Sequence, residues 1–441
     1  MRWIESAIFY HIYPLGLCGA PHENQGGEPV PRINIIHDWI PHLKKLHINA
    51  VYFSPLWESG THGYDTIDYT TLDRRLGTNA DLERLCKALH ENGIRVVLDG
   101  VFNHVGRGFF AFQDMLANRE HSQYRDWFCN VNFGGSNRFG DPFWYESWHG
   151  CEELVKLNLR NEAVASYLEC AILEWIDRYD IDGIRFDAAD CIDFDFFRRI
   201  RHTIKNRKPD CWLMGELIHG DYSRWVNGDM LDSSTNYECW KGIWSSLNDK
   251  NYFEIDYGIN RQSGSYGIYK HALLYNFVDN HDVARLATQL KDQRHLPLAY
   301  ALLYAMPGVP SLYYGSEFAL QAEKRKDTDW NLRPALDINE LTAKPCELYD
   351  YLCRLGALYE KIPALHNGGY VTVQVRNKQL VFRRGEGDAA LYCVLNLDEA
   401  AETLPLPISG DGWVECITDT PVEASGQYTA APFSAAWIIK H

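Results

Sequence analysis

The chain is 441 residues long, 46% hydrophobic and 23% charged, which are ordinary globular proportions and enough for one large domain plus one or two small ones. Its net charge of −16 argues against nucleic acid and anionic membranes as partners, since both need basic surface. No run of about 18 apolar residues is present, so no membrane-spanning helix is expected.

The segment from Met1 to Ser6 lacks a signal-peptide pattern, because Glu5 interrupts any apolar run; a cytoplasmic location is expected. Ala7 to Tyr13 reads as a first strand, Trp39 to His47 as a helix and Ala50 to Phe53 as a second strand. Thr78-Asn79-Ala80-Asp81 has the form of a capping box. Leu82, Leu85, Cys86 and Leu89 then recur at helical spacing, and Gly93 stands where a helix-terminating glycine belongs. Arg95 to Leu98 is a third strand.

From Val105 to Leu159 the alternation stops. Aromatic residues and loop formers dominate there, which marks an inserted domain over 105–159. Regularity returns with an apolar stripe from Val164 to Tyr179, a fourth strand from Ile181 to Phe186, a helix from Asp193 to Asn206 and a fifth strand, Trp212 to Met214. Ser233 to Trp240 is expected to hold a sixth strand running into a helix. Leu273 to Val278 and Ser311 to Tyr314 make strands seven and eight, with helices at His295 to Met306 and Leu348 to Glu360. Beyond Pro363 short β segments follow: Tyr370 to Val375, Leu380 to Arg384, Leu391 to Leu397, Trp413 to Ile417 and Ala436 to Ile439. The twelve cysteines include no C-x-x-C pair. Cys86, Cys170 and Cys353 fall on apolar helical positions, as free thiols in a reducing compartment would.

Strand–helix repeats require parallel strands with crossover helices. Eight of them predict an α/β fold, a (β/α)8 TIM barrel over 1–104 and 160–362, with an antiparallel β-sandwich over 363–441. An open doubly wound sheet is the alternative, weakened because no glycine-rich nucleotide motif follows any strand.

Polar residues collect where the strands end. The third strand runs into Asp99-Gly100-Val101-Phe102-Asn103-His104, and the fourth, Asp182-Gly183-Ile184-Arg185-Phe186-Asp187, ends on a carboxylate. The fifth ends at Gly215-Glu216-Leu217 and the seventh at Asp279-Asn280-His281-Asp282. In a barrel these ends meet on one face, where its active sites lie. Arg185 and Asp187 share one side of their strand because side chains alternate with period two, so the cation would keep Asp187 ionised. A structural ion pair is the other reading of that stretch alone. Glu216, amid Leu213, Met214 and Leu217, has no cation beside it in sequence, and an apolar setting would keep it protonated. Two carboxylates on neighbouring strands, one ionised and one protonated, fit a retaining glycosidase, whose pair stands about 5–5.5 Å apart. A metal hydrolase built on His104, His281 and Asp282 lacks H-x-x-x-H or H-E-x-x-H spacing.

These motifs, in this order, resemble the alpha-amylase superfamily of retaining glycoside hydrolases over nearly the whole chain. The resemblance implies Asp187 as nucleophile, Glu216 as acid/base and Asp282 as the third acid, which binds sugar hydroxyls and helps distort the ring. It also implies that His104 and His281 bind hydroxyls of the sugar being cleaved and that Arg185 orients Asp187. Gly63-Tyr64-Asp65 resembles the stretch whose tyrosine stacks on that sugar. Asp329 and Arg333 look like the pair that closes the glycone end of the cleft, and Arg285 is a further candidate for contact. Asp99, in the first of the matched motifs, and Asp65 are further candidates for substrate contact. Asp-Gly-Val-Phe-Asn-His, and Leu154-Val155-Lys156-Leu157-Asn158 in the insert, are most similar to the neopullulanase and cyclomaltodextrinase branch. That branch usually carries an extra N-terminal β domain, whereas the first barrel strand here begins within ten residues of Met1; a monomer or a homodimer is expected. No D-x-[DN]-x-[DN]-G loop is present, so no cofactor, calcium included, is expected.

The function so implied is retaining hydrolysis of α-glucosidic bonds in maltooligosaccharides or related small α-glucans. The alternatives are a transglycosylase using the same mechanism and a non-catalytic barrel such as a transporter-associated subunit.

Overall fold

The computed structural model describes residues 2–441. Eight parallel strands form its centre: β1 (Phe9–Ile12), β2 (Ala50–Phe53), β3 (Arg95–Gly100), β4 (Gly183–Phe186), β5 (Trp212–Gly215), β6 (Ser233–Ser234), β7 (Tyr275–Phe277) and β8 (Val309–Tyr313). They are hydrogen-bonded in the order β6-β5-β4-β3-β2-β1-β8-β7. A parallel bridge between Thr235 and Tyr275 brings β6 against β7, so the sheet closes on itself. The fold is therefore the (β/α)8 barrel rather than an open sheet.

Period-two alternation explains the barrel's two environments. Phe9, Val97, Trp212 and Tyr275 pack together inside, and Trp3 and Ile4 close this layer from below. The ring centroids of Phe9 and Trp212 are 5.3 Å apart, and those of Phe9 and Tyr275 are 5.4 Å apart. Two residues further along β1 and β3 the inward side chains are His11 and Asp99, which pair with Tyr52 on β2 and Arg185 on β4. The core thus turns polar toward the C-terminal ends of the strands. The residues between, such as Val96, Leu98, Ile184 and Leu213, face outward into the larger core beneath the helices.

Local signals place those helices. Thr78 and Asp81 form the reciprocal capping box of the helix Asn79–Glu91, and Gly93 follows it at φ +75°, a conformation a glycine adopts without strain. Asn161 caps the helix Glu162–Tyr179, whose stripe from Val164 to Tyr179 is buried. Two elements differ from expectation, while the sixth strand runs into a helix as expected. The helix expected from Trp39 is a 3-10 turn, Arg32–Trp39, followed by Ile40–Lys45, with Pro41 in the first turn of the second piece. The sixth strand is only two residues long and leads into the helix Tyr237–Asn248. A second helix there, Tyr252–Ser263, escapes the sequence pattern because Phe253 and Tyr257 are exposed aromatics that blur its apolar stripe.

Between β3 and the helix Glu162–Tyr179 the chain leaves the barrel. It builds a small sheet from His104–Gly106, Ser147–Trp148 and Cys151–Lys156, with the helix Phe110–Asn118 beside it. At the C-terminus a six-stranded antiparallel sheet carries Tyr370–Val375, Gln379–Arg384, Leu391–Asn396, Ser434–Lys440, Trp413–Glu415 and Thr420–Val422 in that spatial order. A two-stranded layer, Glu402–Pro405 with Gln427–Ala430, covers one of its faces through Val381, Val394, Leu404, Trp413 and Ile438. The opposite face, including Phe382, Cys393 and Trp437, joins the main core. Arg384 ties this sheet to the barrel: fully buried, it donates to the carbonyls of Ala305, Leu365 and Gly368.

Candidate active site

The strand ends converge as parallel register requires. Asp99 on β3 pairs with Arg185 on β4, and Arg185 pairs with Met214 on β5. Asp187 and Glu216 each lie two residues beyond, on the same inward side. Arg185 is the hub. One guanidinium nitrogen donates to both oxygens of Asp99, at 2.8 and 2.9 Å, and to Asp187 Oδ1 at 2.9 Å. Its other terminal nitrogen lies 2.6 Å from Glu216 Oε2. Arg185 and Asp99 are buried. The site is therefore a planar cation holding three carboxylates, of which Asp187 and Glu216 reach the cavity above.

That arrangement corrects one expectation. Glu216 does not sit in an apolar pocket free of cations, because the barrel brings Arg185 onto it from the neighbouring strand. Glu216 Oε1 also accepts from the Tyr237 hydroxyl at 3.1 Å, and Asn280 Nδ2 donates to that hydroxyl at 3.1 Å. For Asp187, burial pushes the carboxyl well above the ordinary carboxylate range. Arg185 pulls it down, and Glu216, Asp99 and Asp282 push it up again. The net direction for Asp187 is upward, because burial and the three neighbouring carboxylates outweigh the one guanidinium.

Asp282 is set differently. Burial opposes its ionisation, but His281, Arg333 and Arg185 outweigh that cost and hold its carboxyl well below the usual range. His281 Nε2 is 3.0 Å from Asp282 Oδ2, and an Arg333 nitrogen is 3.0 Å from Oδ1. Arg333 also faces Asp329 at 3.5 Å, and Lys324 lies on the far side of Asp329 at 2.5 Å. Tyr64 hydrogen-bonds His281, lies parallel to its ring at 5.5 Å and reaches Asp99 Oδ2 at 3.3 Å. The first residue of the inserted sheet, His104, stands 3.9 Å from Asp187 Oδ2 through an Nε2 that has no other partner. Burial pushes this imidazole down to about 3, which keeps it neutral.

Together these groups line a cavity of about 420 Å³, which holds Tyr64, His104, Asp187, Glu216, Asp282, Asp329 and Arg333. Four expected contacts do not line it: Arg285, Asp65, Asp99 and His281, the last buried between Asp282 and Tyr64. Arg285 is wholly buried: it donates to the carbonyls of Tyr314 and Leu332 and to Ser316, its guanidinium over the Tyr313 ring, so it braces the loop that carries Arg333. Asp65 is buried beside the cleft, where it accepts from Thr61 at 3.0 Å and faces His62 at 3.8 Å. Asp99 is below the floor, under Arg185. Conversely, His62, Trp148, Cys151, Glu153, Ile218, Tyr237 and Lys324 line the cavity although no motif marked them. Tyr237 follows the short β6, so the rule that polar residues gather at strand ends would have found it. The residues from the insert carry no such signal. Among the described residues no three His, Cys, Asp or Glu side chains converge as a metal site would require, and no helix is long and apolar enough to cross a membrane.

Chemically, the cavity offers a carboxylate with one oxygen fixed and one free (Asp187), a second carboxyl held beside it by the same guanidinium (Glu216), and an ionised third acid (Asp282). Residues 32–342 match the family model described as the alpha amylase catalytic domain. A cyclomaltodextrinase from a Bacillus species is 32% identical over 424 residues, 91% of this chain and 74% of that protein. Among solved structures, a cyclomaltodextrinase superposes with a TM-score of 0.87 at 29% identity, covering 99% of this chain and 78% of the other. The cyclic alpha-maltosyl-(1→6)-maltose hydrolase of Arthrobacter globiformis gives 0.84 at 25% identity, covering 100% and 99%. A family model matched across most of the barrel, and a relative of this identity aligned over both the barrel and the C-terminal sheets, establish descent: the chain is a glycoside hydrolase of the alpha-amylase family, of the cyclomaltodextrinase and neopullulanase type.

Proposed function

We propose that the protein hydrolyses α-glucosidic bonds in maltooligosaccharides or related small α-glucans with retention of configuration. The observation that carries this reading is the single guanidinium of Arg185 spanning Asp187 and Glu216. It holds two carboxyls beside one another at the floor of the cavity, the two-carboxyl arrangement that a retaining mechanism uses. Asp187 attacks the anomeric carbon through Oδ2, since Oδ1 is bound to Arg185. Glu216 gives its proton to the departing glycosidic oxygen, and the C–O bond breaks as the glycosyl–Asp187 ester forms. Glu216, now ionised, takes a proton from water. That water cleaves the ester, and both acids return to their starting states. Asp282, ionised, accepts hydrogen bonds from sugar hydroxyls, while His104 donates through Nε2. Tyr64 offers a ring face to the sugar. The twelve free cysteines favour a reducing, cytoplasmic setting.

The test is a product profile from maltose, maltotriose, a cyclodextrin, pullulan and sucrose, with the anomer of the first product read by NMR. α-Anomeric glucose or maltose is expected; β-anomeric product, or no hydrolysis of any of the five, overturns the reading. Asp187→Asn and Glu216→Gln each lower kcat by about a thousandfold or more, with circular dichroism unchanged. Glu216→Gln recovers partly on a glycosyl fluoride, whose leaving group needs little protonation.

A further inference from the structure

Arg285 does not line the cavity, yet it connects the two loops whose side chains meet there. One terminal guanidinium nitrogen donates to the Ser316 hydroxyl at 2.9 Å and to the Tyr314 carbonyl at 2.7 Å. The Ser316 hydroxyl in turn lies 2.9 Å from both carboxylate oxygens of Asp279, to which it donates. Asp279 also accepts from the Leu286 amide at 2.8 Å. Arg285, Ser316 and Asp279 are all buried. A serine thus relays a hydrogen bond from a buried guanidinium to a buried carboxylate, and it joins the turn after β8 to the loop after β7. Either charge would be costly to leave unpartnered in so dry a place, so both constrain the hydroxyl between them.

The same two loops meet again at Arg333 and Asp282. The other terminal nitrogen of Arg285 donates to the Leu332 carbonyl at 3.0 Å, and the Tyr313 hydroxyl donates to that carbonyl at 3.1 Å. Tyr314 donates to the Pro334 carbonyl at 2.8 Å. The peptide groups on both sides of Arg333 are therefore fixed from the end of β8. Gly16 closes a further side: a Cβ there would stand 2.3 Å from the Arg333 carbonyl oxygen, so only a glycine fits. Held in this way, Arg333 donates to the His281 carbonyl at 3.1 Å and to Asp282 Oδ1 at 3.0 Å. The loop after β7 is thus pinned twice to the segment after β8, at Asp279 through Ser316 and at Asp282 through Arg333. Arg285 is bonded to both pins.

Resting on the hydrolytic function proposed above, we infer that Arg285, Ser316 and Asp279 are positioning residues for the reaction, which set Arg333 against Asp282. Substituting Arg285 would strand Asp279, so the milder Ser316→Ala and Asp279→Asn are the variants of choice. Each is assayed in the parent and in Arg333→Ala, on whichever of the five substrates above is hydrolysed fastest, with the folded fraction fixed by circular dichroism. Ser316→Ala lowers kcat/KM about tenfold in the parent and less than about twofold once Arg333 is gone, because its effect passes through that residue. Asp279→Asn follows the same pattern. Equal losses in both backgrounds, as a merely structural role would give, or no loss in the parent, overturn the inference. A second cycle needs no substrate. Melting temperatures of the parent, Arg333→Ala, Asp282→Asn and the double variant depart from additivity, and in the Ser316→Ala background they become additive. No coupling in the parent, or unchanged coupling in that background, also overturns the inference. If none of the five substrates is hydrolysed but the melting cycle behaves as expected, the positioning set stands and the hydrolytic reading falls. If hydrolysis occurs and either cycle fails, the positioning set falls alone. If there is neither hydrolysis nor coupling, both fall.

Discussion

Arg185 lies 2.6 Å from Glu216, one strand over, and the same side chain holds Asp187 on its own strand. This contact links the two acids, and it exists because parallel register sets Arg185 opposite Met214, two residues before Glu216. A buried cation with three carboxylate partners is a point of high electrostatic stakes.

Removing that cation should therefore damage both fold and chemistry. Arg185→Met leaves the buried Asp99 and Asp187 and the half-buried Glu216 without their shared cation, and urea unfolding at neutral pH should show a loss of about 3–5 kcal/mol. Arg185→Lys keeps the charge but cannot span two carboxyls, so it should retain more stability while kcat still falls by about a hundredfold. If Arg185→Lys turned over at the parent rate, the bridging geometry would be irrelevant to catalysis.

Activity should fall in acid at a higher pH than an ordinary aspartate would impose. Burial and the neighbouring carboxylates raise the Asp187 carboxyl, so the nucleophile takes up its proton early as pH drops. The stability sign is the reverse of the activity sign. A raised folded value favours the folded state at low pH, and that contribution is lost as pH rises through it. Asp187→Asn should accordingly melt above the parent protein near neutral pH, with the difference shrinking toward the ordinary carboxylate value. A pH series of melting temperatures for both proteins checks this; a parallel pair of curves would count against it.

Tyr237 should matter through Glu216 rather than through the sugar alone. Its hydroxyl receives a hydrogen bond from Asn280 and donates to Glu216 Oε1. Tyr237→Phe keeps the ring and should lower kcat by about tenfold, with a smaller change in KM. A glycosyl fluoride substrate should lose less, because proton donation is then less important. Equal losses on both substrates would assign Tyr237 to binding instead.

Below the site, Asp182 anchors the start of β4. It accepts from His90 at 2.9 Å, Arg95 at 2.8 Å and the Val96 amide at 2.9 Å. Burial opposes its ionisation, but these donors and Lys208 hold the carboxyl down at about 2. A depressed value stabilises the fold above the unfolded value and is lost as pH falls through the folded one. Asp182→Asn should cost about 2 kcal/mol at neutral pH, and the gap should close between about pH 4 and pH 2. Turnover at saturating substrate should hardly change, since the residue lies at the opposite end of β4 from Asp187.

Much of this was legible in the chain. Alternation of apolar strands with amphipathic helices predicts the barrel. The capping box at Thr78 and the stripe from Val164 to Tyr179 mark helices from local chemistry alone. Elements without a local signature were not legible. The helix Tyr252–Ser263 carries exposed aromatics, and the strands Glu402–Pro405 and Gln427–Ala430 are short and largely exposed, so neither shows a clean period.

The candidate site divides the same way. Asp187, Glu216, Asp282, His104 and His281 could be picked out because each follows a strand, and closure of a parallel barrel must gather such residues at one end. What the sequence by itself determined is thus the fold and the class of reaction, since both depend on residue type and on a period-two or helical repeat. Only the tertiary structure decided that Arg185 serves Glu216 as well as Asp187, that Arg285 braces a loop beneath the cleft, and that Tyr237 donates to Glu216. Those relationships run between strands and loops far apart in the chain, where packing rather than local pattern chooses each side chain's partner.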